Sequence, residues 1–240
     1  MTYDKDELLT TDHFYEPLLL KVNRSFVDEA RAIERGAKIE NHAFFGLAKR
    51  NPRALLVWAS QEAIVTNPFS QLLLRAIGNI KNVHIRSLLI PVVAGEHSHL
   101  KNGIAHESHP WLIWTLCKSL GLSYEDLRPT KAVADFITAL AATIDFPMQA
   151  LGCLGVGNEL MLLSEYAAVE ECFDLMYPDA EYKKFLRANI SEDEGHTALI
   201  EIAAGELTRF GYDPKEFVNG ARAGVAARVA YYDSLISEIE

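Results

Sequence analysis

The sequence predicts an all-α protein on three observations. Apolar residues recur at spacings of three and four along nearly the whole chain, and the clean alternation of a half-buried strand is rare. The breaks between these stretches are short and carry proline or glycine, as in Asn51-Pro52, His109-Pro110, Phe146-Pro147 and Gly211-Tyr212-Asp213-Pro214. There is also no strand-turn-strand pattern and no Gly-rich phosphate loop after a strand. With 240 residues, 49% of them hydrophobic, the chain has apolar side chain for one sizeable core. The expected architecture is a single domain over residues 1–240, a bundle of about seven to nine helices.

Each element has a local reason. Asp12-His13-Phe14 opens a segment with Phe14, Leu18, Leu19 and Val22 on one side. Asn51-Pro52 sets a cap and a first turn, followed by a stripe through Leu55, Leu56, Trp58, Ala59 and Ile64. Asn67-Pro68 reads as a second helix start, carrying Phe69, Leu72, Leu73 and Ile77. Thr130 begins a helix with Val133, Phe136, Ile137 and Leu140 on its face. A late helix runs from about Glu181 to Phe210 and stops at Gly211, and the last starts near Pro214.

Composition excludes several functions. The net charge is −10 and no Lys/Arg cluster exceeds two residues, so a nucleic-acid partner is not expected. No apolar run reaches the roughly 18 residues a membrane span needs. The N-terminal residues are acidic and polar, unlike a secretory or transit segment. Cys117, Cys153 and Cys172 are odd in number and far apart, which argues against a disulfide framework and for a reducing cytoplasm.

The informative anomaly is a set of carboxylates and imidazoles where apolar residues are expected. A buried, unpaired carboxylate costs several kcal/mol unless a partner or a metal neutralises it. Glu96 continues the face of Leu89, Val92 and Val93, with His99 three residues on and His106 beyond Gly103. Glu159 sits in the Gly-rich apolar run LGCLGVGNELMLL. Asn189, Asp193 and His196 share one helical face with Phe185, Ile200 and Ala203. Glu62 lies one turn after Trp58 on its apolar stripe. Carboxylate oxygen with imidazole nitrogen suits iron or manganese, and bundle cores support such sites. Phe69, Trp111, Phe136, Phe146, Met148 and Tyr166 are the apolar and aromatic candidates for a pocket lining.

In this order and spacing, from about Asn67 to Gly211, the residues resemble the haem-oxygenase-like di-iron oxidases and oxygenases. That family is marked by a Glu, a His, a second Glu on a later helix and a terminal His-x-x-x-Asp-x-x-His helix. The match runs Glu96, His106, Glu159, Asp193 and His196, with Asn189 where the first histidine of the last motif belongs. The resemblance implies O2 activation at two Fe(II) ions, with Glu96, Glu159 and His196 central to the chemistry. It implies an amino-acid or fatty-acid substrate, of which the amino acid is the one expected, and an external electron donor. Its most specific form is a tryptophan-like substrate whose alanyl side chain becomes a nitrile.

Asparagine replaces imidazole poorly, and three alternatives stay open. Asn189 binds weakly through its amide oxygen, or the second iron arrives only with a substrate amine or carboxylate, or the site holds one metal. His99, Glu192 and Glu62 are spare donors. The competing expectation is a metal-free protein of the same architecture. It would be a thiaminase-like enzyme using Cys153, a quinone-cofactor-forming one, or an interaction module. Trp111, Trp114, Tyr231 and Tyr232 are candidates for a core or for a homodimer seam.

Overall fold

Asn51 adopts extended backbone and its side-chain oxygen accepts a hydrogen bond from the Arg53 N–H, so a helix starts at Pro52 as the sequence predicts. A computed structural model describes residues 14–22, 24–98 and 101–239, apart from the side chains of residues 192–194. In chain order the helices are α1 (Arg24–Ala37), α2 (Ala43–Ala48), α3 (Pro52–Gly78), α4 (Val83–His97) and α5 (His109–Ser119). They continue as α6 (Lys131–Ala141), α7 (Pro147–Leu151), α8 (Leu160–Met176), α9 (Tyr182–Arg209) and α10 (Pro214–Ile239). A π-helical run, Gly152–Glu159, joins α7 to α8. Among the described residues there is no strand, only an isolated bridge between Lys101 and Ile104. No helix there is long and apolar enough to cross a membrane. The all-α bundle expected from periodicity is what the chain forms.

Two expected elements differ. Asn67-Pro68 does not open a helix; Pro68 lies inside α3, which runs 27 residues unbroken. A proline removes one backbone hydrogen bond, but the stripe on both sides of it, from Leu55 and Trp58 to Phe69, Leu72 and Leu73, is buried and holds the rod in line. The Thr66 hydroxyl also donates to the Glu62 carbonyl beside the break. The second difference is the first segment, of which residues 1–13, including Asp12 and His13, lie outside the described residues. Leu18, Leu19 and Val22 sit in irregular chain rather than helix. The N–H groups of Leu19 and Leu20 both donate to one oxygen of Glu206 on α9, at 2.7 Å each. Arg209 holds Glu16 and the Pro17 carbonyl. These bonds satisfy the backbone from outside the segment, so helix is not needed.

α10 packs along α7 and the π run, against α1 on one side and α6 on the other. Its approach is close because Gly220 and Gly224 carry no side chain: a Cβ at Gly224 would stand 2.5 Å from the Cys153 carbonyl oxygen. α9 packs on α8, α4 and α5, and α3 packs on α4, α5 and α6. Tyr231 and Tyr232 are buried in this core, while Trp111 and Trp114 are half-buried at the surface.

Candidate metal centre

Glu96 ends a buried stripe. On α4 the buried positions are Ile85, Leu89, Val92 and Glu96, spacings of four, three and four that keep one helical face inward. Asn82 fixes the start of that helix by accepting from the N–H groups of His84 and Ile85. The histidine that meets Glu96 is His109, whose Nδ1 lies 3.0 Å from Glu96 Oε1. His109 opens α5 behind the cap Ser108 and begins the buried stripe His109, Ile113, Leu116 and Cys117.

This corrects the expectation for His106. The sequence places it beside Glu96 through a break at Gly103, but α4 already ends at His97 and His106 is exposed in the following loop, its ring edge-on to Trp111. His109 sits on an apolar helical face and His106 does not. His99 lies outside the described residues.

The second pair is Glu159 with His196. A Cβ at Gly155 would be 2.6 Å from the Ile200 side chain, so α9 touches the π run there. Glu159 is one turn after Gly155 and His196 one turn before Ile200, and in this antiparallel contact the two meet, with His196 Nδ1 at 3.4 Å from Glu159 Oε2. Both residues are buried. Asp193 stands on α9 between Asn189 and His196, but its side chain and that of Glu192 lie outside the described residues.

Three buried carboxylate oxygens here accept no hydrogen bond: Glu96 Oε2 and both oxygens of Glu159. Such atoms are costly unless a cation neutralises them. Among the described residues, no three His, Cys, Asp or Glu side chains converge closely enough to hold a metal by themselves. Each carboxylate has one histidine beside it, and the donor set of two carboxylates and two imidazoles is one that iron accepts.

A cavity of about 30 Å³ lies between these helices, space for about two water molecules. Glu96, His109, Asn158 and Asn189 line it together with Glu62, Tyr166 and Arg228, and Val65, Phe69, Phe136 and Leu162 supply its apolar wall. Of the expected pocket residues, Phe69, Phe136 and Tyr166 are present. Trp111 lines a separate surface groove, Phe146 is exposed and Met148 packs in the core. Cys153 does not line the cavity, and burial pushes its thiol up to about 11, far from the thiolate a nucleophile needs.

Glu62, a spare donor by sequence, has both of its oxygens hydrogen-bonded in this arrangement. Its Oε1 accepts from the Tyr166 hydroxyl and from Arg228 Nη2, each at 3.0 Å, and its Oε2 from Tyr231 at 3.3 Å. Arg228 also forks onto Glu165, with Nε 2.7 Å from Oε2 and Nη2 on Oε1. Tyr232 donates to Glu165 at 2.7 Å and accepts from Trp58 Nε1 at 3.0 Å. Burial pushes the Glu165 carboxyl up, and Arg228 pulls it back only in part. Burial opposes the Arg228 charge, but Glu165 and Glu62 outweigh it and hold the guanidinium well above its ordinary value. Arg228 and Glu165 escaped the sequence reading, although each continues an apolar helical stripe as Glu96 does: Met161, Glu165, Ala168 and Cys172 on α8, and Ala221, Val225, Arg228 and Tyr232 on α10.

A family model described as iron-containing redox enzyme matches residues 56–229. No curated protein matches the chain. A CADD-like protein of unknown function from Nostoc punctiforme has a similar structure, with a TM-score of 0.70 at 16% identity over 90% of this chain and 99% of that one. A TenA homolog from Pseudomonas syringae pv. tomato is similar with a TM-score of 0.69 at 11% identity, over 94% of this chain and 100% of that one. At these identities the two structures attest the fold.

Proposed function

The chain belongs to the iron-containing redox enzyme family, an oxidoreductase family, and on that premise we propose that it is an iron- and O2-dependent oxidase or oxygenase acting on an amino-acid substrate. The observation that carries this reading is the set of three buried carboxylate oxygens without a hydrogen bond, on two elements, each carboxylate beside a histidine. Glu96 and His109 would form one half of the centre and Glu159 and His196 the other, with Asp193 three residues before His196 on α9. Bound iron supplies the one-electron chemistry that lets O2 react with a closed-shell substrate.

The protein's own part is containment and charge balance. The two glutamates would neutralise a divalent ion in a largely buried place, and the histidines would add nitrogen donors. Phe69, Phe136, Val65 and Leu162 keep the cavity apolar on one wall, which limits side reactions with water. Tyr166 holds its proton against Glu62 at the cavity edge. An external donor supplies electrons, and the working form holds two irons, the second completed with substrate. The specific form of the reading is a tryptophan-like substrate converted to a nitrile. Its test is incubation of the Fe(II)-loaded protein with O2, a reductant and L-tryptophan, followed by mass analysis. Consumption of tryptophan with an indole nitrile as product is expected, abolished in His196→Ala. An unchanged tryptophan pool with iron bound would overturn the substrate and keep the centre.

A further inference from the structure

The polar wall of the cavity is rich in acceptors: the carboxylates of Glu62 and Glu96 and the side-chain amides of Asn158 and Asn189. Asn158 gives its Nδ2 to the Cys153 carbonyl at 2.7 Å inside the π run, and Asn189 gives its Nδ2 to the Phe185 carbonyl at 2.8 Å one turn back on α9. These bonds fix the amide orientation and leave the oxygen on the other side of each amide, and among the described residues neither oxygen accepts a hydrogen bond. Both residues are at least nine-tenths buried, 2% and 4% exposed, and both line the cavity. The Thr66 hydroxyl proton goes to the Glu62 carbonyl and the Tyr166 proton to the Glu62 carboxylate. The remaining cationic group, Arg228, already faces two carboxylates.

An ammonium group brings three donors and no acceptor, and a carboxylate brings acceptors only. The ammonium head also fits a space of about 30 Å³. We infer that the Asn158 and Asn189 side-chain oxygens bind the ammonium group of the substrate, which makes this an enzyme for primary amines and anchors the substrate by nitrogen rather than by carboxylate. The inference rests on the proposed reading only in taking this cavity as the place where the nitrogen end of the substrate docks.

Metal-free protein separates the two readings. It is titrated by calorimetry with methylammonium and tryptamine, and with acetate and 3-indolepropanoate as carboxylate counterparts. The amines are expected to bind and the carboxylates not. Asn189→Leu is expected to weaken the amines by about tenfold or more, the loss of one charge-assisted hydrogen bond, and Asn189→Asp to tighten them. Equal or better binding of the carboxylates would overturn the inference and point to Arg228. Binding of neither class, or amine affinity unchanged in both variants, would overturn it too. Repeating the titration with Mn(II) tests the rival use of Asn189 as a metal donor. If Mn(II) displaces the amine and Asn189→Leu loses Mn(II), the oxygen belongs to the metal and the inference fails. Wild-type protein that binds amines but no Fe(II) would keep the inference and sink the iron reading.

Discussion

Arg228→Met tests the buried charge network beside the cavity. The guanidinium is 2% exposed and makes two contacts to Glu165 and one to Glu62, both carboxylates also buried. Removing it leaves two carboxylates with only tyrosine partners: Tyr232 on Glu165, and Tyr166 and Tyr231 on Glu62. Breaking a buried pair at one end costs about 3–5 kcal/mol, a large part of the ~5–15 kcal/mol that holds a domain together. The three surviving phenol bonds keep the figure near the lower end.

The pH dependence follows from the sign of the Glu165 shift. Its folded pKa is raised by burial, and without Arg228 it rises further. A carboxyl with a raised folded pKa contributes stability that is fully present below its unfolded value, near 4.3, and lost as pH rises through the folded value. The deficit of Arg228→Met is therefore expected to be larger at pH 7.5 than at pH 5, and Glu165→Gln in the same chain is expected to recover part of it. Urea unfolding of wild type and both variants at the two pH values measures this. A deficit below about 1 kcal/mol at pH 7.5, or one of equal size at both pH values, would refute the reasoning.

Four further variants have expected outcomes. Gly224→Ala places a Cβ 2.5 Å from the Cys153 carbonyl oxygen and should destabilise by at least about 1–3 kcal/mol. Gly46→Ala, in α2 with nothing within 4 Å, should be neutral or stabilise by about 0.5–1 kcal/mol, and thermal melts of the two compare them. Glu206→Ala removes the acceptor of the Leu19 and Leu20 N–H groups. Limited proteolysis should then cut within residues 14–22 faster than in wild type, with the rest of the chain protected. Wild-type protection there would mean that Arg209 alone holds the segment. His106→Ala should leave metal affinity unchanged, because that ring sits in the exposed loop with Trp111.

The legible part of the fold was its local punctuation. Asn51-Pro52, Thr130 and Gly211 stop or start helices through their own backbone and side-chain chemistry, and each does so in the structure. Pro68 shows the limit of such signals: the same dipeptide pattern lies mid-helix when buried stripes continue on both sides. Glu96 and Glu159 were legible as charges on apolar faces, and both are buried with a histidine near. His106 was chosen because spacing from Glu96 says nothing of how a loop folds, whereas the stripe from His109 to Cys117 carried the needed signal. Glu165 and Arg228 are less legible, because each is a single charge on an apolar stripe with no histidine nearby in sequence. A buried ion-pair network leaves the same mark on a helix as a ligand does, and only the tertiary contact between α8, α3 and α10 tells them apart.

The measurement that bears most directly on the proposed centre is an anaerobic Fe(II) titration with metal counting on wild type, His109→Ala and His106→Ala, with and without tryptamine. Binding of about two irons per chain in wild type, the second favoured by the amine, is expected, with loss in His109→Ala and none in His106→Ala. No iron bound by wild type, or His109→Ala binding as wild type does, would contradict a centre built on the Glu96–His109 and Glu159–His196 pairs.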